Sequence, residues 1–328
     1  MYLVTGGAGM IGSNIVAELA GAGHDVVVCD WLRQDERWRN LVRHDVADII
    51  LPEALFDWLA ANGGHAVRGI VHMGAISATT ETDVDAIVRN NIRLTLDLWD
   101  WCAAKGVPLV YASSAATYGD GSAGFDDAFS REGLARLMPL NAYGWSKHFV
   151  DRRIARIIAE GGPTPPQWVG LKFFNVYGPN EYHKGSMKSV VAHNAASVAA
   201  GEPLRLFRSY RPDYADGGQL RDFVYVKDCA RVVAWLLANR QVSGLFNLGT
   251  GQARSWLDLG RSLFAALDME EAIEFIDMPE QLRGKYQYYT QAEMGKLRAA
   301  GYDTPFASLE DGVTDYVRNY LTRENPYR

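Results

Sequence analysis

The chain has 328 residues, and 33 Lys plus Arg against 39 Asp plus Glu leave a formal net charge of −6. That balance excludes a dedicated nucleic-acid binder, which carries a basic face, while 48% hydrophobic and 22% charged residues suit a globular protein with one or two cores. Three scattered cysteines (Cys29, Cys102, Cys229) exclude a disulfide scaffold and offer no metal-ligand spacing, so no metal site is expected and a reducing cytoplasm is the expected setting. No apolar run reaches spanning length and no Lys or Arg precedes Arg33, so neither a membrane span nor a secretory leader is expected.

Tyr2–Thr5 reads as a buried strand, and Met10–Ala22 as a helix with Ile11, Ile15, Val16 and Leu19 on one face, closed by Gly23. Asp25–Cys29 is the next strand, ending at Asp30. Gly69–His72 and Pro108–Ala112 are two more, separated by one long helix over Asp83–Lys105 that stops at Gly106. This alternation predicts an α/β fold with a doubly wound parallel sheet and right-handed crossovers. Gly161–Pro166 is a loop, after which Gln167–Phe174 resumes a strand. Residues 175–221 read as loop-rich around one helix over Ser189–Ala200, with an exposed polar stretch at Arg208–Leu220. Phe223–Val226 and Gly244–Leu248 read as returning strands, and a helical tail follows Gly249-Thr250-Gly251.

The segment Thr5-Gly6-Gly7-Ala8-Gly9-Met10-Ile11-Gly12 links the first strand to the first helix. Gly6 permits the tight turn, Gly9 lets amides approach a pyrophosphate, and Gly12 lets helix pack on sheet. The helix N-terminus adds a favourable dipole for that anion. Asp30, at the end of the second strand, is placed to bind ribose hydroxyls, which favours NAD. Arg33 and Arg37 just beyond are placed to pair with a 2′-phosphate, which favours NADP. Asp45 reads either as an adenine contact or as a helix cap.

Tyr143-Gly144-Trp145-Ser146-Lys147 sets a phenol and an ammonium four apart, on one face of a helix. A neighbouring cation favours the phenolate, which makes Tyr143 a candidate general base for an alcohol. Ser114 follows the fourth strand, where strand ends meet ligands, and is placed to share the reacting proton; Ser113 reads as structural. The glycine loop, the strand-end serine and YxxxK together match the signature of the short-chain dehydrogenases, with Asn90 as a cofactor contact or helix-kink residue.

The chain further resembles the extended, nucleotide-sugar branch of that superfamily, and within it the ADP-L-glycero-D-manno-heptose 6-epimerases. The resemblance runs nearly end to end, through TGGAGMIGSNIV, YASSAATYG, PLNAYGWSK, FFNVYGPNEYHKGSM, RDFVYVKD, FNLGTG and KYQYYTQAEMGKLRAAGYDTPF. It implies a Rossmann cofactor domain over 1–174 and 222–248, and a smaller substrate domain over 175–221 and 249–328. It implies oxidation and re-reduction at C6″ of ADP-D-glycero-β-D-manno-heptose with tightly held NADP (NAD as the alternative), through a transient ketone. The nucleotide sugar is then the small-molecule partner, lipopolysaccharide core the destination, and a homo-oligomer the assembly.

Residue by residue, the resemblance implies Tyr143 and Lys184 as the two acid/base groups, assisted by Lys147 and Ser114. Gly6, Gly9, Met10, Ile11, Gly12, Asp30, Trp31, Arg37, Asp45, Met73, Gly74, Ala75, Ser77, Asn90 and Val176 are then the cofactor contacts, together with Tyr143 and with Lys147 on the nicotinamide ribose. Asn175, Ser186 and His193 would face substrate, as would Ser114 and Lys184. Phe207, Arg208, Ser209 and Tyr210 would line the adenosine pocket, with Arg221 and Tyr286 on the diphosphate. Trp31 and Met73 depart from the family's pattern, and the Arg208–Leu220 stretch is longer than the family's. The rivals are a UDP-hexose 4-epimerase, a 4,6-dehydratase and a non-catalytic NADP-binding regulator. Ala115-Ala116 after Ser114 argues against the dehydratase, and Tyr143 against the regulator.

Overall fold

The computed structural model describes every residue except 63–65 and 284–285. The central sheet is built from β1 (Tyr2–Thr5), β2 (Val26–Cys29), β3 (Asp48–Ile50), β4 (Gly69–His72), β5 (Leu109–Ser114), β6 (Trp168–Phe173) and β10 (Gly244–Leu248). Its order is β10-β6-β5-β4-β1-β2-β3, with every pairing parallel. The strands are apolar on both faces because helices cover both. Val4, Val28, Val71 and Val110 face α1 (Met10–Gly21) and α8 (Val226–Ala238). Leu3, Val27, Ile70 and Leu109 face the other way, toward α2 (Leu55–Asn62), α4 (Leu94–Lys105) and α6 (Ala142–Ala159).

A smaller lobe packs its own core from Val191, Leu204, Leu206, Phe223, Leu263 and Val313. It holds β7 (Asn175–Tyr177), β9 (Leu220–Tyr225) and β11 (Ala253–Ser255) in one sheet, and β8 (Leu204–Phe207) beside β12 (Ile273–Ile276) in another. Its helices are α7 (Val190–Ala199), α9 (Trp256–Ala266) and α12 (Leu309–Tyr316). Two short helices, α3 (Val84–Ile87) and α5 (Arg131–Ala135), belong to the connections between the central strands; α10 (Glu280–Arg283) and α11 (Gly295–Ala299) lie in the tail.

Four expectations change. The long helix over 83–105 is α3 and α4 joined by a π-helical segment, Val88–Arg93. The tail is not all helical, because β11 and β12 interrupt it. Residues 222–225, placed with the cofactor domain, pair with β7 and β11 in the small sheet. The strand read as Phe223–Val226 starts earlier, at Leu220, because Leu220 and Arg221 pair with Ser255 and Arg254. Ligand geometry follows from the strand order. β1 is flanked by β2 on one side and β4 on the other, so the order reverses there and opens a crevice beyond their carboxyl ends.

Candidate active site

The glycine loop opens into that crevice. Gly6 sits at φ 65°, and a Cβ there would lie 2.5 Å from the Gly74 amide nitrogen. A Cβ on Gly12 would lie 2.0 Å from the Gly6 carbonyl oxygen. Gly9 is the N-cap of α1 and supplies no side-chain cap, so the first-turn amides around Met10 and Ile11 remain for a ligand. Asp30 is buried at the end of β2 and accepts the Ala8 N–H at 3.0 Å; burial pushes its carboxyl up, and that N–H acts against the shift. A backbone cradle with no room for side chains, helix amides and a buried carboxylate together fit a dinucleotide.

The rim is more mixed. Arg37 is held by Asp35 through Nε at 2.8 Å and Nη2 at 2.6 Å. Trp31 donates its indole N–H to Glu53 at 2.7 Å. Asp45 is exposed in the turn before β3 and caps no helix, which removes the capping alternative. Met73, Gly74, Ala75 and Ser77 form the loop after β4, where Gly74 N–H donates to Thr5 Oγ1 at 3.2 Å. Asn90 lies in the π-helical segment and donates to the Ala86 carbonyl at 2.8 Å. The bridging asparagine is its neighbour. Buried Asn91 accepts from Ile76 N–H at 2.8 Å and donates to Ile76 O at 2.9 Å, and it stands 3.0 Å from Ser146 Oγ. The π turn rotates Asn91 inward, a register that helical spacing does not reveal.

A second buried chain lies beneath the loop. Thr5 Oγ1 is 2.6 Å from His72 Nδ1, and His72 Nε2 is 2.9 Å from Thr95 Oγ1, which donates to the Asn91 carbonyl at 2.7 Å. Since Thr95 donates onward, it accepts from His72 Nε2–H, and Nδ1 accepts from Thr5. Burial pushes this imidazole down to about 3, so it is neutral.

Tyr143 and Lys147 both lie on α6, started by Asn141, whose side chain accepts the Gly144 N–H at 2.8 Å. Gly144 is required, because a Cβ there would lie 2.7 Å from the Ala116 carbonyl oxygen. That close approach sets Tyr143 beside Ser114. Burial pushes the phenol up, and the Ser114 hydroxyl acts the other way. Burial also pushes the Lys147 ammonium down to about 8, against the pull of Asp151. Asp151, one turn on, is wholly buried and accepts from Ser113 at 2.7 Å and Lys172 at 3.0 Å. Sequence reasoning missed Lys172, since a lysine inside an apolar strand has no distinguishing spacing.

Lys184 comes from the other lobe, in the 3₁₀ segment Tyr182–Met187, which kinks at Gly185. Its Nζ lies 3.7 Å from Met10 Sδ, at the mouth of the glycine cradle. Burial lowers its pKa, and Glu181 opposes the shift. Glu181 itself is fixed by Ser189, whose N–H and Oγ each donate at 2.6 Å. Ser186 in the same segment is exposed, as is His193 on α7; Asn175 and Val176 are half-buried on β7.

Arg221 is buried on β9. It donates to the carbonyls of Leu220 and Gln287, and its guanidinium lies 5.1 Å from the Tyr286 ring centre and 6.0 Å from that of Trp256. Phe207 packs edge-on against Tyr286 at 6.4 Å. Arg208 and Tyr210 instead face outward, tied to Asp216 and Asp277. Ser209 N–H donates to Asp216 at 2.7 Å. A cleft of about 550 Å³ adjoins Tyr286, lined also by Tyr214, Tyr288, Arg211 and Ser122. Lys285, the first residue of the tail block, lies outside the described residues. Among the described residues, none of Lys147, Lys184 and Arg221 has a carboxylate within ion-pair distance. Two buried cations, Lys147 and Arg221, and the half-buried Lys184, each without a carboxylate at ion-pair distance, favour an anionic ligand.

Comparisons with known proteins identify the family. The NAD dependent epimerase/dehydratase family matches residues 2–249. ADP-L-glycero-D-manno-heptose-6-epimerase of Nitratidesulfovibrio vulgaris is 51% identical over the full length of both chains. The crystal structure of the Helicobacter pylori ADP-L-glycero-D-manno-heptose-6-epimerase is 28% identical, with a TM-score of 0.76 over 97% of this chain and 95% of that one. UDP-glucose 4-epimerase of Thermus thermophilus, solved in complex with NAD, is 25% identical with a TM-score of 0.72, covering 96% and 97%. The chain belongs to the NAD dependent epimerase/dehydratase family, among the relatives of the ADP-L-glycero-D-manno-heptose-6-epimerases, and is an epimerase.

Proposed function

We propose that the enzyme interconverts the C6″ epimers of ADP-glycero-β-D-manno-heptose, supplying heptose for lipopolysaccharide core. The observation that carries this reading is Lys184. It is half-buried against Met10 of the cradle helix, yet comes from outside the dehydrogenase signature that Tyr143 and Lys147 complete.

The bound dinucleotide supplies reversible hydride acceptance at its nicotinamide. The chain's own residues handle protons and position. One of Tyr143 and Lys184 takes the C6″ hydroxyl proton as the alcohol becomes a ketone; the other protonates the oxygen when hydride returns to the opposite face. A single base on one face is poorly placed for both epimers, hence two. Tyr143 needs nearby positive charge to ionise, which Lys147 supplies. Ser114 holds the reacting oxygen, and Asn175 and Ser186 hold the sugar. Arg221 pairs with the diphosphate through its fork of donors, over the Tyr286 ring.

We assign NADP as the dinucleotide, with Arg33 and Arg37 facing its 2′-phosphate. Asp30, buried at the ribose position, and the Asp35 clamp on Arg37 favour NAD as the second reading. Mass spectrometry of released cofactor separates the two. The same reading includes a homo-oligomer, which light scattering tests.

The mechanism is tested with substrate deuterated at C6″, turned over in ordinary water. Retention of the label in the epimer supports hydride return within one site; wash-out of the label contradicts it.

A further inference from the structure

The segment 326–328 crosses back from the end of α12's extension to the first helix of the cofactor lobe. Arg328 donates from Nη1 to Asn14 Oδ1 at 3.0 Å and from Nη2 to Glu18 Oε2 at 2.9 Å. Its backbone N–H donates to Asn180 Oδ1 at 3.0 Å, and its carbonyl lies 3.1 Å from His44 Nε2. Tyr182 donates its hydroxyl to the Pro326 carbonyl at 2.7 Å and packs edge-on against Tyr327 at 5.2 Å. Tyr327 is buried.

These contacts converge on the chain leading into Lys184. Asn180, in the left-handed region at φ 72°, is wholly buried and donates to Ser13 Oγ at 3.0 Å. Asn14 donates to the Pro179 carbonyl at 3.0 Å. Met10, Asn14 and Glu18 are spaced i, i+4, i+8, so they form one stripe along α1. The stripe's first residue meets Lys184; its second and third hold Arg328. Residues 179–183 are thus gripped between the stripe and the 326–328 strap, immediately before the lysine.

We infer that Arg328 is a positioning residue: it clamps the Lys184 segment to α1 and so fixes the reach of the second acid/base group. This rests on the proposed role of Lys184. Nothing in the strap touches the reacting atoms, so its effect is confined to the half of the chemistry that Lys184 serves.

The experiment compares Arg328→Ala, Arg328→Lys and Lys184→Met as cofactor-loaded enzymes. Single-turnover reduction of bound cofactor is followed by absorbance, starting from each epimer in turn. Lys184→Met is expected to slow one epimer's oxidation selectively. Arg328→Ala is expected to slow the same epimer about tenfold, as a sub-ångström misplacement does, and to leave the other within about twofold. Arg328→Lys restores the charge without the fork and falls between. Hydrogen exchange of the Tyr182–Met187 amides is expected to rise in Arg328→Ala. If Lys184→Met spares both epimers, the two-base reading fails and the positioning role with it. If Lys184→Met is selective but Arg328→Ala slows both epimers equally or neither, or leaves exchange unchanged, the clamp alone is overturned.

Discussion

Asp151 and Lys172 form an ion pair at 3.0 Å with both side chains essentially sealed from solvent. The pair lies one helical turn beyond Lys147, under the floor of the active site. Asp151→Asn strips the counter-charge from Lys172 and is expected to cost about 3–5 kcal/mol, read by urea unfolding. It also removes the group that helps Lys147 keep its proton. The alkaline limb of kcat/KM is therefore expected to move below the value near 8 that burial sets for Lys147. A limb that stays in place contradicts that coupling.

Tyr143→Phe and Lys184→Met are each expected to lower sustained epimerisation by about 10²–10⁴-fold. Both groups lie outside the backbone cradle of Gly6 and Gly12, so the dinucleotide content measured after denaturation is expected to stay at the wild-type level. Normal turnover in Lys184→Met would remove the second base.

Gly12→Ala places a carbon 2.0 Å from the Gly6 carbonyl oxygen, a contact that only backbone movement relieves. The expected result is a loss of about 1–3 kcal/mol in stability, with dinucleotide content well below wild type. Full cofactor occupancy would contradict the cradle assignment.

His72 is held neutral, down to about 3, between Thr5 and Thr95. Its folded pKa lies below the unfolded value near 6.5, so the unfolded chain takes up the proton first. The sign follows: this stability is present above pH about 6.5 and is lost as pH falls toward 3. His72→Asn is expected to be less stable at neutral pH but to show a shallower acid slope over that window. Unfolding free energies measured at several pH values check it; an unchanged slope contradicts the neutral relay.

Much of the cofactor lobe was legible because its strands are short apolar runs bounded by turns and its glycines answer to specific steric needs. Gly144 and Gly12 sit where backbones come closest. The small lobe was harder. β12 (IEFI) lies in the tail read as helical and β8 (LRLF) in the 175–221 stretch read as loop-rich, and neither four-residue strand is long enough to announce its period in sequence. Asn91 was hidden because a π turn shifts the helical register by one residue, so the bridging role fell on Asn90's neighbour. Asn180 sits inside the FFNVYGPNEYHKGSM block without a role that the block reveals, and Arg328 lies outside every motif; their partners are about 150 to 310 residues away in sequence, and only the folded chain brings them together.

The central claim is tested most directly by following C6″ configuration by NMR in ADP-D-glycero-β-D-manno-heptose incubated with folded, cofactor-loaded enzyme. The account predicts catalytic approach to a mixture of the two C6″ epimers with no net consumption of cofactor. Unchanged C6″ configuration, in protein shown to be folded and loaded, would contradict it.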